Sequence, residues 1–294
     1  MSMQGCTSLE PHWDASLGGR TLRAVRSFAI GDTIAEEQPV VRGHCGGVDR
    51  CPGCSCVPCS DGCSWSTAQQ AGAAISAAID WHAELCARTP AEPHAGRANW
   101  VRVCCLLAVV IQAAASPALW QWLSSHLRPG FDLIDDAAHA VVRSTRAFAR
   151  EFAERLPPPA GTPRDAWLDE LAALLLRLQT NLFYLDESTI GIFALACQLE
   201  HACRPNAAVV ARGGAAPRLL LRALTPIRAG DAVSFCYLSA DNLRDAGSAR
   251  MELGGAPVGE RRARILKELG FFCRCAACAA EERVDPDQQI AHER

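Results

Sequence analysis

The chain has 294 residues, 49% of them hydrophobic and 21% charged, with a formal net charge of −3; that composition reads as a soluble globular protein of one or two domains with a substantial core. So slight a charge imbalance excludes an electrostatic footprint for nucleic acid, and no apolar run reaches the ~20 residues of a membrane helix. Only Lys267 among the 29 basic residues is a lysine, a bias that fits an Ala- and Arg-rich composition. In chain order, residues 15–42 read as short strands carrying Leu22, Ala24, Val25, Thr33, Ile34, Val40 and Val41, with a turn at Ile30-Gly31-Asp32. Residues 43–64 form a Gly- and Cys-rich stretch with little core of its own. Helices follow over 68–86, 97–115, 117–126, 133–156 and 164–180, the second of them a buried helix on account of its apolar run from Val103 to Ala115. Thr162-Pro163 with Asp165 predicts the last of these starts, through a capping hydroxyl, a proline at the first turn and an acid at the positive end of the dipole. Leu156-Pro157-Pro158-Pro159 breaks the helix before it. Strands return over 207–210, 218–222 and 232–235, and an amphipathic helix over 259–270 leads to the C-terminal cysteines. Trp81, Trp100, Trp120 and Trp167 read as helix packing. No repeat of 20–50 residues is present, which argues against a solenoid.

Sixteen cysteines in a chain whose first residues, Met1 to Cys6, carry no apolar leader point to a reducing compartment and to metal rather than disulfides. Cytoplasm and nucleus are both expected locations. Cys273, Cys275 and Cys278 place three thiols within six residues, too close for mutual disulfides but suited to tetrahedral zinc. Cys203, beside His201 and the Pro205-Asn206 turn, is the candidate fourth thiolate, so that one closed zinc site ties distant segments together.

Taken together, Glu200-His201-Ala202-Cys203-Arg204-Pro205-Asn206, the run Gly230 to Tyr237, and Cys273-Arg274-Cys275-Ala276-Ala277-Cys278 resemble the SET domain, and within it the SET-and-MYND (SMYD) group of lysine methyltransferases. Gly19 to Val25 and Ala29 to Ile34 resemble the first SET strands. Asn181-Leu182-Phe183 and Gly191-Ile192-Phe193 resemble the approach to the His-containing motif. The likeness runs in order over residues ~15–280. It implies an α+β fold: a split, pseudoknotted SET β-fold with zinc-finger and helical insertions and a post-SET zinc site. The implied divisions are the N-terminal SET part at 15–43, a degenerate MYND-like finger at 44–87, a helical insert at 88–180, core SET at 181–240, the post-SET segment at 241–282 and a tail at 283–294. Residues 199–206 are implied to pass through a loop made by the C-terminal segment.

The same resemblance implies methyl transfer from S-adenosylmethionine to a protein lysine, histone or non-histone, with Tyr237 as the catalytic hydroxyl. It places Gly19, Arg20, Asn181, Glu200, His201, Tyr237 and Phe271 against the cofactor, and Phe183, Tyr237 and Leu269 along the substrate channel. Such a reaction needs little acid–base machinery; the amine must be held neutral, aligned and away from water. In the finger the resemblance implies Cys51, Cys54, Cys59, Cys63, His82 and Cys86 as zinc ligands. Cys59, Cys63, His82 and Cys86 would form one site, and Cys51 with Cys54 would need Cys45, Cys56 or His44 to complete a second, so one zinc and two are both open. The finger is also a candidate peptide-binding module; neither nucleic acid nor membrane is an expected partner. Three positions depart from the family pattern. Thr21 replaces a glycine where backbone approaches the cofactor, Glu200 replaces an asparagine, and Leu269 replaces a tyrosine of the channel. Those departures support an alternative reading, a catalytically weak zinc-binding scaffold for protein–protein contacts.

Overall fold

The computed structural model describes residues 8–14, 19–45, 73–88, 95–127, 140–156, 158, 161–212, 217–238 and 256–284. Its elements are β1 (Leu9–Asp14), β2 (Gly19–Ala24), β3 (Thr33–Glu37), β4 (Val41–His44), α1 (Ala73–Ala87), α2 (Ala95–Ala114), α3 (Pro117–His126), α4 (Ala140–Arg155), α5 (Arg164–Asn181), β5 (Leu182–Asp186), β6 (Thr189–Ile192), β7 (Glu200–His201), β8 (Ala207–Arg212), β9 (Arg218–Ala223), β10 (Ser234–Phe235), α6 (Val258–Leu269) and α7 (Ala276–Val284). The mixed α+β class expected from the sequence is what forms. The described residues fall into two compact units, one within 38–197 and 212–217, the other within 2–37, 198–211 and 218–294.

In the first unit, β4, β6 and β5 form an antiparallel sheet in that order, with Val41 opposite Ile192 and Phe183 opposite Gly191. Residues 107–111 of α2 have no accessible surface, so this stretch of the helix is buried on all sides rather than along one stripe. It is the buried helix the sequence predicts, and no described helix is long and apolar enough to cross a membrane. Close contacts hold α2 to the sheet. Gln112 Nε2 donates to the Arg42 carbonyl at 2.7 Å, and Gly43 lies so close that a Cβ there would sit 1.9 Å from the Cys105 carbonyl oxygen. Only glycine permits that approach. Trp120 stacks on Trp167 at 4.9 Å, and Trp81 packs on Phe152 at 5.6 Å, so these three tryptophans serve helix packing as expected. Trp167 Nε1 also donates to the Leu156 carbonyl at 3.0 Å. Helix α5 starts at Arg164, where the sequence predicts, but its cap differs. Pro163 is itself the cap, with φ −58° and ψ 144°, and no side chain caps the helix; Asp165 alone sits in the first turn as predicted. Proline's fixed φ supplies the entry geometry expected of the Thr162 hydroxyl.

The second unit holds β1 paired with β2, the sheet β3-β9-β8, and a short parallel pair of β7 and β10. Strand β1 lies ahead of the first predicted strand, and α7 beyond the last predicted helix. Two turns in this unit have one design. Gly31 and Gly230 both adopt φ 87°, and Asp32 and Asp231 each accept a backbone N–H three residues upstream at 2.8 Å. Bridges between Phe28 and Ile227 and between Arg23 and Ala232 join the two. Helix α6 buries Val258, Arg261, Arg262 and Ile265 along one stripe and ends at Gly270, whose left-handed φ of 76° closes the helix.

Candidate functional site

The parallel pair β7–β10 brings the His201 motif alongside the run into Tyr237, with Glu200 opposite Ser234 and His201 opposite Phe235. Asn206 extends that pairing with its side chain. Its Nδ2 donates to the Ala232 carbonyl at 2.7 Å, and its Oδ1 accepts from the Ser234 backbone N–H at 2.9 Å. The Asn206 carbonyl accepts from the Leu224 N–H at 2.8 Å. An asparagine is needed because a donor and an acceptor must act side by side.

This turn delivers Cys203 to the C-terminal thiols. Cys203 Sγ lies 3.9 Å from Cys273 Sγ and 3.6 Å from Cys278 Sγ, the latter two being 3.9 Å apart. The Cys275 sulfur accepts from the Cys203 N–H at 3.4 Å, and all four sulfurs fall within 4.8 Å of one another. Tetrahedral zinc with bonds of ~2.3 Å would hold its thiolates about 3.8 Å apart, so the donor set fits that ion. Hydrogen bonding with Cys203 holds Cys275 far below the ordinary thiol range and brings Cys278 to about 7, while Cys273, donating toward Cys203, is pushed up. The protons are shared unequally among crowded sulfurs.

Two arginines from the buried stripe of α6 surround this cluster. Arg261, 2% exposed, donates to Cys278 Sγ at 3.6 Å and pairs with Glu281 at 3.0 Å. Arg262 donates from Nε to the Cys273 carbonyl at 2.8 Å, pairs with Glu282, and stacks its guanidinium on Phe272 at 4.2 Å. Neither arginine stands out in the sequence as a site residue. The available signal is positional: both fall on the apolar stripe of an amphipathic helix, where a charge needs a partner.

His201 joins the thiols to Tyr237. Burial lowers its pKa to about 4, so the ring is neutral at neutral pH. Its Nδ1 accepts the Tyr237 backbone N–H at 3.1 Å; by this network the proton is assigned to Nε2, which then donates to Cys203 Sγ at 3.4 Å. Tyr237 donates its hydroxyl to the Leu199 carbonyl. The rings of His201, Tyr237 and Phe271 meet edge-on, with centroids 5.3 Å apart for His201–Tyr237, 5.9 Å for His201–Phe271 and 6.0 Å for Tyr237–Phe271. Leu269 and Phe271 pack on the apolar side of the thiol cluster.

Other residues expected at the site are more scattered. Gly19 and Arg20 open β2, paired with Asp14 and Trp13. Thr21 has no accessible surface, and its hydroxyl has no hydrogen-bond partner among the described residues. Glu200 is half-buried on β7. Asn181 and Phe183 belong to the first unit. Asn181 donates to the Arg177 carbonyl at 2.8 Å, and Phe183 packs edge-on against Phe193 at 5.7 Å. His82 and Cys86 sit one turn apart on α1, with Nε2 3.5 Å from Sγ, and burial lowers the His82 pKa to about 4. Cys51, Cys54, Cys59 and Cys63 lie outside the described residues, as does the Trp100 side chain.

No family model matches the chain. Over 110 residues it is 30% identical to "Histone-lysine N-methyltransferase SMYD3" of Mus musculus, covering 36% of this chain and 22% of that protein. Over 91 residues it is 35% identical to "Protein-lysine N-methyltransferase SMYD4" of Mus musculus, covering 31% and 10%. Over 149 residues it is 25% identical to "Histone-lysine N-methyltransferase set5" of Schizosaccharomyces pombe, covering 47% and 41%. The matched region thus spans about a fifth of the SMYD3 relative's length. Among solved structures, the SET domain of LSMT bound to lysine and AdoHcy aligns with a TM-score of 0.43 and 12% identity, over 93% of this chain and 54% of that one. In sequence the chain is thus similar to SET-domain lysine methyltransferases, those of the SMYD group among them, and the thiol cluster and motif strands fit that likeness.

Proposed function

We propose that the chain is a protein-lysine N-methyltransferase that uses S-adenosylmethionine. The observation that carries the reading is the corner made by His201, Tyr237 and Phe271 on top of a zinc-fitting thiol cluster, assembled from segments far apart in sequence. When bound, S-adenosylmethionine supplies an electrophilic methyl group. The protein's part is to hold an acceptor amine neutral and aligned. Tyr237 is suited to that role because its proton is committed to the Leu199 carbonyl, which leaves oxygen lone pairs to orient the amine. His201 fixes the Tyr237 backbone, and aromatic walls keep the corner dry. Of the departures, Thr21 is the least adverse, because a residue with no accessible surface does not project into an open cleft. Protein lysines are the proposed acceptors, histone or otherwise, in cytoplasm or nucleus.

Glu200 and Leu269 favour the second reading, a zinc-binding scaffold without turnover, since they put a carboxylate and an aliphatic group where the family pattern has an amide and a phenol. Radiolabelled methyl transfer to histones and to whole-cell lysate, comparing wild type with Tyr237→Phe, tests the enzyme reading. Label is expected with wild type and at least about tenfold less with the variant. Folded protein that gives no Tyr237-dependent label rejects it. Calorimetric binding of S-adenosylmethionine then separates an inactive cofactor binder from a scaffold.

A further inference from the structure

A second group of sulfurs lies in the first unit, away from every thiol of the C-terminal cluster in sequence. Cys45, Cys86 and Cys104 present sulfurs that all fall within 4.8 Å of one another. They come from three different elements: Cys45 follows β4, Cys86 ends α1, and Cys104 lies on α2. The family resemblance points to a different set, pairing His82 and Cys86 with Cys59 and Cys63, and gives Cys104 no role.

A buried cysteine is ordinarily a small apolar side chain, and α2 contains a second one as a control. Cys105, the next residue, turns its thiol to the Ser188 carbonyl at 3.2 Å and stays out of the group. The backbone of Cys45 is held by the same carbonyl, its N–H donating at 2.7 Å. The two neighbouring thiols of α2 therefore do different things, one finishing a backbone hydrogen bond and the other meeting Cys45 and Cys86. His82 is 1% exposed, and its Nε2 stands 3.5 Å from Cys86 Sγ. Its nitrogens do not fall within 4.8 Å of all three sulfurs, so the ring borders the group rather than joining it. Soft thiolates select zinc over magnesium or calcium.

We infer that Cys45, Cys86 and Cys104 bind one zinc ion and that this site clips α1 and α2 to the end of β4. The site is structural: it ties three elements together, takes no part in the methyl-transfer chemistry, and stands whether or not that reading holds.

The test counts metal in the full-length chain by native mass spectrometry after anaerobic loading with zinc, and follows the sulfur-to-metal charge-transfer absorbance after loading with cobalt. Cys104→Ser and Cys45→Ser are each expected to lose one metal equivalent relative to wild type. Cys105→Ser is expected to lose none. Cys104→Ser combined with Cys275→Ser should lose two, because the sites are separate. The inference is overturned if Cys104→Ser keeps the full metal count and cobalt spectrum while Cys59→Ser loses one equivalent, which would restore the ligand set of the resemblance. Should Cys104→Ser not fold, the wild-type chain decides. Alkylation mapped by mass spectrometry must then label Cys45, Cys86 and Cys104 only after chelation of the metal. Equal labelling of Cys104 with and without chelator, or a disulfide among the three in the loaded protein, overturns the site.

Discussion

The two thiol clusters solve one problem in opposite surroundings. The C-terminal cluster of Cys203, Cys273, Cys275 and Cys278 is wrapped in charge: Arg261 donates to a sulfur, Arg262 to a ligand carbonyl, and Glu281 and Glu282 balance the guanidinium groups. The cluster of Cys45, Cys86 and Cys104 belongs to the apolar core of the first unit, with Cys86 at its edge and a neutral imidazole nearby. Four thiolates on a divalent ion leave two net negative charges, whereas three leave one. Burying charge costs heavily unless it is offset. The more anionic cluster is accordingly the one with guanidinium partners, and the less anionic one tolerates hydrocarbon walls.

The largest test of this contrast removes a ligand on each side. Cys278→Ser is expected to release one zinc and cost on the order of 5 kcal/mol, the scale of losing a structural metal. Hydrogen exchange should then accelerate over 256–284, while the amides of α2 keep their protection. Cys104→Ser should show the reverse pattern. Unchanged protection over 256–284 in Cys278→Ser would show that α6 and α7 are held by packing alone and that no metal organises them.

Next comes the close approach that seats α2 on β4. Gly43→Ala would set a Cβ 1.9 Å from the Cys105 carbonyl oxygen. Backbone, unlike a flexible side chain, cannot swing aside, so about 3 kcal/mol of destabilisation is expected from chemical denaturation. Because Cys104 precedes Cys105, the same variant should also loosen the metal of the core cluster and leave that of the C-terminal cluster in place. A variant as stable as wild type would mean that α2 is free to shift, and the contrast between a rigid core site and a charge-wrapped one would lose its basis.

A smaller effect is expected from Arg261→Met, which keeps side-chain length and removes the charge. Outer partners of metal ligands typically govern 10–100-fold in affinity. Competition with a chromophoric chelator should show a loss of that size at the C-terminal cluster and none at the other. Equal affinity in the variant would make Arg261 a packing residue.

What the sequence discloses differs between the clusters for a physical reason. Cys273, Cys275 and Cys278 are neighbours in the chain, so their spacing alone implies a shared ion, and His201 and the run into Tyr237 are each legible as local motifs. Cys45 and Cys104 become neighbours only when α2 packs on β4, a tertiary event without a local pattern. Thr162-Pro163 reads as a hydroxyl cap because both residues favour helix starts; the structure uses Pro163 alone. Arg261 is legible as a residue but not as a role, since a charge on an apolar stripe gains meaning only from the sulfur it meets.

Thr21 supplies the smallest effect and a third way to handle a buried polar atom. Each cluster places its polar groups against metal-fitting geometry or charged partners. The Thr21 hydroxyl has neither: it has no accessible surface and no hydrogen-bond partner among the described residues. A desolvated, unpaired hydroxyl costs about 1 kcal/mol or more relative to an apolar group of the same shape. Thr21→Val keeps the branched shape that suits β2 and deletes the hydroxyl, so stability should rise by about 1 kcal/mol in denaturant titrations. Binding of S-adenosylmethionine, where present in wild type, should stay the same, because the side chain is packed inside the protein. A gain in stability with unchanged binding makes Thr21 an interior position. A loss of binding would put the hydroxyl on the cofactor and turn the family departure at this position into a functional substitution.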